Sequence, residues 1–265
     1  MANTSYPKGM EKVLAGSINF AAHTIKAALL PSTYTFSTSH EFLSQLGTRV
    51  GTDQELAGKS VAGGTFTASD LDFGAVASGS VVRGIVIYKE TGNPGTSPVL
   101  FFIDTAPGLP FSTSGSSITV PWSSQDGIAK VGSPFYPKGA EKLLSGAVNF
   151  AADTIKVALV RASYQTDAAH EFLAAVGTRI GTDQALANKV VAGGAFDADD
   201  SDFGAIAAGE KVGGLVIYKD TGSAATSPLL LHITDVVGLP YDTNGGGLAI
   251  GWPDGAAKIF SLNPA

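Results

Sequence analysis

Residues 81–92 read VVRGIVIYKETG, and residues 211–222 read KVGGLVIYKDTG. A run rich in Val, Ile and Tyr, closed by a Thr-Gly turn signal, predicts a strand over Val81–Lys89. The same strand stands twice, 130 residues apart, and that recurrence organises the chain. The offset holds from Tyr6 and Tyr136 to Trp122 and Trp252, with 64 of 117 aligned positions identical. Matching blocks include YPKG, NFAA, HEFL, GTDQ, VAGG and TSP, starting at Tyr6, Asn19, His40, Gly51, Val61 and Thr96. After the tryptophans the register slips by two residues, so that Asp126-Gly127 matches Asp254-Gly255. A loop absorbs such a slip most cheaply. Solenoid repeats run roughly 20–50 residues, and a copy of this length is long enough to fold alone. The sequence therefore predicts two tandem homologous domains, 1–132 and 133–265. The short linker at Gly132-Ser133-Pro134-Phe135 leaves them in contact with limited freedom.

Within a copy the local signals are consistent. Pro7 suits a first helical position, Met10, Val13 and Leu14 form an i, i+3, i+4 stripe, and Gly16 suits the C-terminal cap. Pro137, Ala140, Leu143, Leu144 and Gly146 repeat the pattern. A strand follows with Ile25, Ala27 and Leu29 on one face and Lys26 on the other, matched by Ile155, Val157, Leu159 and Lys156. A second short helix is predicted at Phe42, Leu43 and Leu46, ending at Gly47, and again at Phe172, Leu173 and Val176, ending at Gly177. Further strands are predicted at 59–62, 72–76, 81–89, 98–104, 117–122 and 128–131. No long helix separates them, so parallel βαβ winding is not expected. The fold class predicted is mainly β: two antiparallel β-sandwich-like domains, each with two short helices.

Composition narrows the function classes. Apolar residues make up 44% and charged residues only 15%, against roughly 25% in ordinary soluble domains. Net charge is −6 and mean hydropathy +0.20. An acidic balance argues against coating nucleic-acid phosphates. The chain has no cysteine, which removes thiolate zinc sites, iron–sulfur ligation and cysteine nucleophiles. The opening MANTSYPKGMEK does not read as a signal peptide, and the apolar run 99–103 is far short of a membrane span. A soluble protein without export signal or membrane partner is expected.

Candidate chemistry is sparse. His40 and His170 recur, each followed by Glu-Phe-Leu, but no histidine stands four residues on, so the HExxH spacing is absent. They are expected at a helix start, with Glu41 and Glu171 favouring its positive end. His23 and His232 do not recur. Asp197, Asp199, Asp200 and Asp202 alternate hard oxygen ligands in a way that could converge on calcium. The run lacks the EF-hand glycine and closing glutamate, and the first copy keeps only Asp70 and Asp72, so a solvated turn before a strand is expected there. Asp53 and Asp183 in the GTDQ blocks read as turn or cap residues. Gly63-Gly64 and Gly193-Gly194 read as a turn or bulge and make neither a phosphate loop nor a dinucleotide fingerprint. Trp122 and Trp252 are expected as core anchors, with sugar stacking as the rival role. Tyr88 and Tyr218 read as packing residues with a wet hydroxyl. No catalytic residue, cofactor or metal site is assigned.

A surface of Ser, Thr, Asn and Gly makes close neutral contacts without desolvating many charges. That predicts lasting burial against other protein and a homo-oligomer, with a trimer presenting six similar domains. The order YPKGxEKxLxGxxNF, DTIKVALV, HEFL, VAGGxFDADD, LVIYKDTG, TSPLLLHI, GLP, a GGG turn and WPDGAAKIFSL resembles small virion structural proteins of tailed bacteriophages. The second copy, Tyr136 to Leu262, is the closer match; the first departs where Gly127 to Val131 replace the KIF strand. The resemblance implies a non-enzymatic particle protein, made in the host bacterial cytoplasm and located in the virion. A capsid decoration (cement) protein that binds across capsomers, with the major capsid protein or other virion proteins as partners, fits best. A tail or head-fibre component with a receptor- or glycan-binding role is the alternative. Met1 to Ser5 and Asn263 to Ala265 are the candidate docking segments.

Overall fold

Pro7 and Pro137 open two α-helices, α1 (Pro7–Leu14) and α2 (Pro137–Leu144). The structure is a computed structural model that describes residues 4–106, 108–122, 127–254 and 258–262. A proline in the first turn forfeits no helical bond, because its N–H would have no partner there. Met10, Val13 and Leu14 bury the stripe of α1, and Ala140, Leu143 and Leu144 that of α2. Each helix closes on a glycine of positive φ: the Gly16 N–H donates to Val13 O and the Ser17 N–H to Lys12 O. Gly146 and Ala147 repeat the arrangement on Leu143 and Lys142. Gly9 and Gly139 serve close approach instead. A Cβ at either would overlap a strand carbonyl, that of Val99 or of Leu229, so both helices lie directly on strand backbone.

The first repeat contributes β1 (Thr4–Ser5), β2 (Ile25–Pro31), β3 (Val50–Glu55), β4 (Ser60–Ala62), β5 (Thr65–Thr67) and β6 (Leu71–Ala75). It continues with β7 (Val81–Lys89), β8 (Val99–Ile103), β9 (Phe111–Ser112), β10 (Ser117–Val120) and β11 (Ala129–Lys130). The second contributes β12 (Ile155–Arg161), β13 (Ile180–Ala185), β14 (Val190–Ala192), β15 (Ala195–Asp197) and β16 (Ser201–Ala205). It ends with β17 (Lys211–Lys219), β18 (Leu229–Ile233), β19 (Tyr241–Asp242), β20 (Gly247–Ile250) and β21 (Phe260–Ser261). The ladders are antiparallel. One main sheet runs β1-β8-β7-β2-β3 with β9 beside β7; the other runs β18-β17-β12-β13 with β19 beside β17. Small sheets β6/β10 and β4/β5/β11 accompany the first, and β16/β20 and β14/β15/β21 the second. Registers recur at the offset of 130: Ala27 faces Ile87 as Val157 faces Ile217. The molecule is mainly β and antiparallel, as the apolar, turn-separated runs predict. The seven strands predicted from the first repeat lie within two residues of observed ones, whereas β1, β3, β5 and β9 are not among those predicted.

Strand alternation gives each main sheet two apolar faces. Ala28, Leu30, Val86 and Tyr88 point into a small cluster with Tyr6, Tyr34, Leu43 and Leu46. Ile25, Ala27, Leu29, Ile85 and Ile87 point the other way, into a cluster that does not close within one repeat. That cluster runs through Phe20 and Phe66 into Leu143, Phe150 and Phe196. The contacts across it are reciprocal. The Phe20 N–H donates to Leu144 O at 3.0 Å and the Phe150 N–H to Leu14 O at 2.9 Å. The Glu141 carboxylate accepts the Gly63 N–H and the Glu11 carboxylate the Gly193 N–H, both at 2.7 Å. Helix α1 packs on β14 and β15 while α2 packs on β4 and β5. When residue i meets j and the equivalent of j meets the equivalent of i, the contact is isologous and its operator is a twofold rotation.

Local readings need correction in three places. The second short helix is a single 3₁₀ turn, Leu43–Leu46 or Leu173–Val176, stopped by Gly47 or Gly177 at positive φ. Glu41 and Glu171 do not serve a helix N-terminus; they pair with Lys12 and Lys142 on the α-helices at 2.8 and 2.9 Å. The GTDQ blocks are not turns or caps but lie in edge strands β3 and β13, where the register breaks around Gly51 and Gly181.

Candidate functional site

The strand position of GTDQ gives Asp53 and Asp183 long-range partners. Asp53 accepts the Arg49 Nε–H at 2.9 Å and the Tyr88 hydroxyl at 2.8 Å. Asp183 accepts Arg179 Nε at 2.9 Å and the Tyr218 hydroxyl at 2.7 Å. Alongside run Lys26–Glu90 at 3.2 Å and Lys156–Asp220 at 2.7 Å. These groups line a cleft of about 490 Å³ in the first repeat and one of about 430 Å³ in the second. Two positive and two negative charges make each cleft formally neutral. Burial, then the neighbouring aspartate, pushes the Tyr88 and Tyr218 phenols well above their ordinary range, so both remain protonated donors. Burial opposes ionisation of Glu90, but the Gly92 N–H and Lys26 outweigh it and hold that carboxyl below its ordinary range. Such a cleft offers fixed hydrogen-bond donors and acceptors with little net field, which suits a polar, uncharged surface.

The recurring histidines occupy a second feature. His40 Nδ1 lies 3.0 Å from the Tyr34 hydroxyl, which lies 2.6 Å from that of Tyr6. His170, Tyr164 and Tyr136 repeat the chain at 3.0 and 2.8 Å. Burial raises the four phenols and lowers His40. The chain ties the 32–40 loop to the sheet. The sequence held a signal for it: Tyr34 and His40 are the two identities among the ten positions 31–40.

The acidic run is not gathered to one point. Asp197 pairs with Lys258 at 2.9 Å, and Asp199 accepts from Asn188 Nδ2 at 2.6 Å. Asp200 accepts the Trp252 N–H and Asp202 the Gly204 N–H, each at 2.8 Å. Among the described residues no group of three or more His, Asp or Glu side chains is placed to hold a metal. Gly63-Gly64 and Gly193-Gly194 form the turns β4–β5 and β14–β15 and meet the opposite repeat's glutamate. Trp122 and Trp252 are buried, at 7% and 8% exposure, and present no ring for sugar stacking. His23 accepts the Asn19 N–H through Nδ1, as Asp153 accepts that of Asn149. His232 packs on Tyr136 and Tyr164 where Phe102 packs on Tyr34 and Phe36. Met1 to Asn3 and Asn263 to Ala265, within the candidate docking segments, lie outside the described residues; Thr4 and Ser5 form the edge strand β1. No helix among the described residues is long and apolar enough to cross a membrane. Comparison with protein-family models gives no match, and comparison with curated proteins gives none either.

Proposed function

We propose that the chain is a non-enzymatic structural protein of a tailed-phage particle, a decoration protein that binds the outer capsid across adjacent capsomers. The observation that carries this reading is the reciprocal interlock of two like repeats around one core, which makes a stiff body with each surface feature present twice. Duplicated surfaces suit a partner that is itself repeated, because two weak contacts on one rigid body bind with an effective concentration that neither has alone. The charge-poor composition and the neutral clefts fit lasting contact with protein. The resemblance of the motif order to small virion proteins points the same way. Self-association on the particle, with a trimer displaying six like repeats, belongs to the proposal. A protein that binds only the assembled shell stabilises that shell by mass action. Particles lacking the protein should lose surface density in electron micrographs and rupture at lower temperature than complete ones. Unchanged density and unchanged rupture temperature would sink the proposal.

A further inference from the structure

The two repeats differ at nearly half of their aligned positions, and the differences are unevenly placed. At 31–40 two of ten residues are shared with 161–170, and Asn93, Pro94 and Gly95 have become Ser223, Ala224 and Ala225. At 47–54 the sequence GTRVGTDQ meets GTRIGTDQ at 177–184, with seven of eight identical. Some of that identity is structural: Gly47 and Gly51 have positive φ, and Arg49 and Asp53 form the ion pair. Thr48 and Thr52 have no such reason. Both are exposed, as are Thr178 and Thr182, and none of the four side chains makes a hydrogen bond among the described residues. Three of them line the clefts: Thr48 and Thr52 that of the first repeat and Thr182 that of the second; Thr178 stands next to Arg179, which lines the second, and is the equivalent of Thr48. Arg49 engages Asp53 through Nε, so its two Nη groups have no partner among the described residues.

We infer that segments 47–54 and 177–184 are twin docking surfaces for two copies of one protein subunit related by a local twofold axis. Exposed threonines that stay the same while the loops 31–40 and 93–95 diverge are what contact with something outside the chain would preserve. The isologous interlock relates the two segments by a twofold rotation, so the subunits they contact must be related likewise. The threonine hydroxyls and the Nη groups of Arg49 call for neutral carbonyl acceptors on that partner, in keeping with the formal neutrality of the clefts. The inference rests on the decoration reading and adds to it where the protein sits: astride a twofold contact between like subunits.

The test uses the full chain and shells from which it has been stripped. The parent protein should rebind, and density should place both segments against equivalent residues of neighbouring subunits. Thr48→Glu with Thr178→Glu should melt with the parent and bind at least about 100-fold more weakly, each single variant falling between. Thr38→Glu with Ala168→Glu, at exposed positions that have diverged, should bind as the parent does. Parent-like binding by the Thr48/Thr178 double variant, equal loss in the control, or density with one segment in contact would overturn the inference and leave the decoration reading standing. Failure of the parent to rebind would overturn both.

Discussion

Trp122 and Trp252 stand at equivalent positions, yet their indoles are not equally served. Trp252 Nε1–H donates to Ser201 Oγ at 3.3 Å, whereas Trp122 Nε1 is buried with no partner among the described residues. The residue equivalent to Ser201 is Leu71, which has no acceptor to give. A buried donor left unpaired costs about 1–3 kcal/mol of desolvation that no bond returns. Trp252→Phe should therefore destabilise by about 1 kcal/mol more than Trp122→Phe, read from urea unfolding of the two variants. Equal losses would contradict the difference in bonding. The histidines set a pH dependence. Burial holds His23, His40 and His232 below the ordinary histidine range, with Lys89 adding to the effect on His23. The unfolded chain then takes up protons near pH 6.5 that the folded chain refuses, so the unfolded state gains and stability falls as pH drops from about 7 to 5. His232→Phe installs the residue found at Phe102 and should flatten that fall without abolishing it. Unfolding curves at pH 7 and 5.5 would show this, and a slope identical to the parent's would count against it.

Among the elements, the α-helices were the most legible from sequence and the edge strands the least. Pro7, the Met10/Val13/Leu14 stripe and Gly16 each act within a few residues, so α1 follows from local chemistry. β3 was hidden because its polar face resembles turn chemistry; Asp53 bonds Tyr88, 35 residues away, and not its own backbone. β5 and β9 are two or three residues long and exist only as partners of other strands. The docking of α1 on β8 yields a sign test. Alanine is favoured over glycine inside a helix by about 1 kcal/mol. At Gly9 the added Cβ meets the Val99 carbonyl, and overpacking against backbone costs about 1–3 kcal/mol. Gly9→Ala and Gly139→Ala should therefore lower the melting temperature, and a rise in either would show that the helix can lift from the strand.

At the scale of the whole molecule the shared core predicts how the chain comes apart. One hydrophobic cluster spans both repeats, so neither can expose its half without opening the other. Calorimetry should show a single transition whose calorimetric and van't Hoff enthalpies agree, whereas two resolved transitions would mean that the repeats unfold separately. The amino-acid sequence by itself determined the repeat, its offset, the antiparallel β class, the proline starts and glycine stops of α1 and α2, and the burial of both tryptophans. Those features rest on strand and helix periodicity and on glycine and proline geometry, which act over a few residues. Tertiary structure alone decided that Glu11 reaches Gly193 and Glu141 reaches Gly63, that the two repeats complete one core, and that Arg49, Asp53 and Tyr88 share a cleft. Apolar periodicity states that a face must be covered but not by what, and here the covering face belongs to the other repeat.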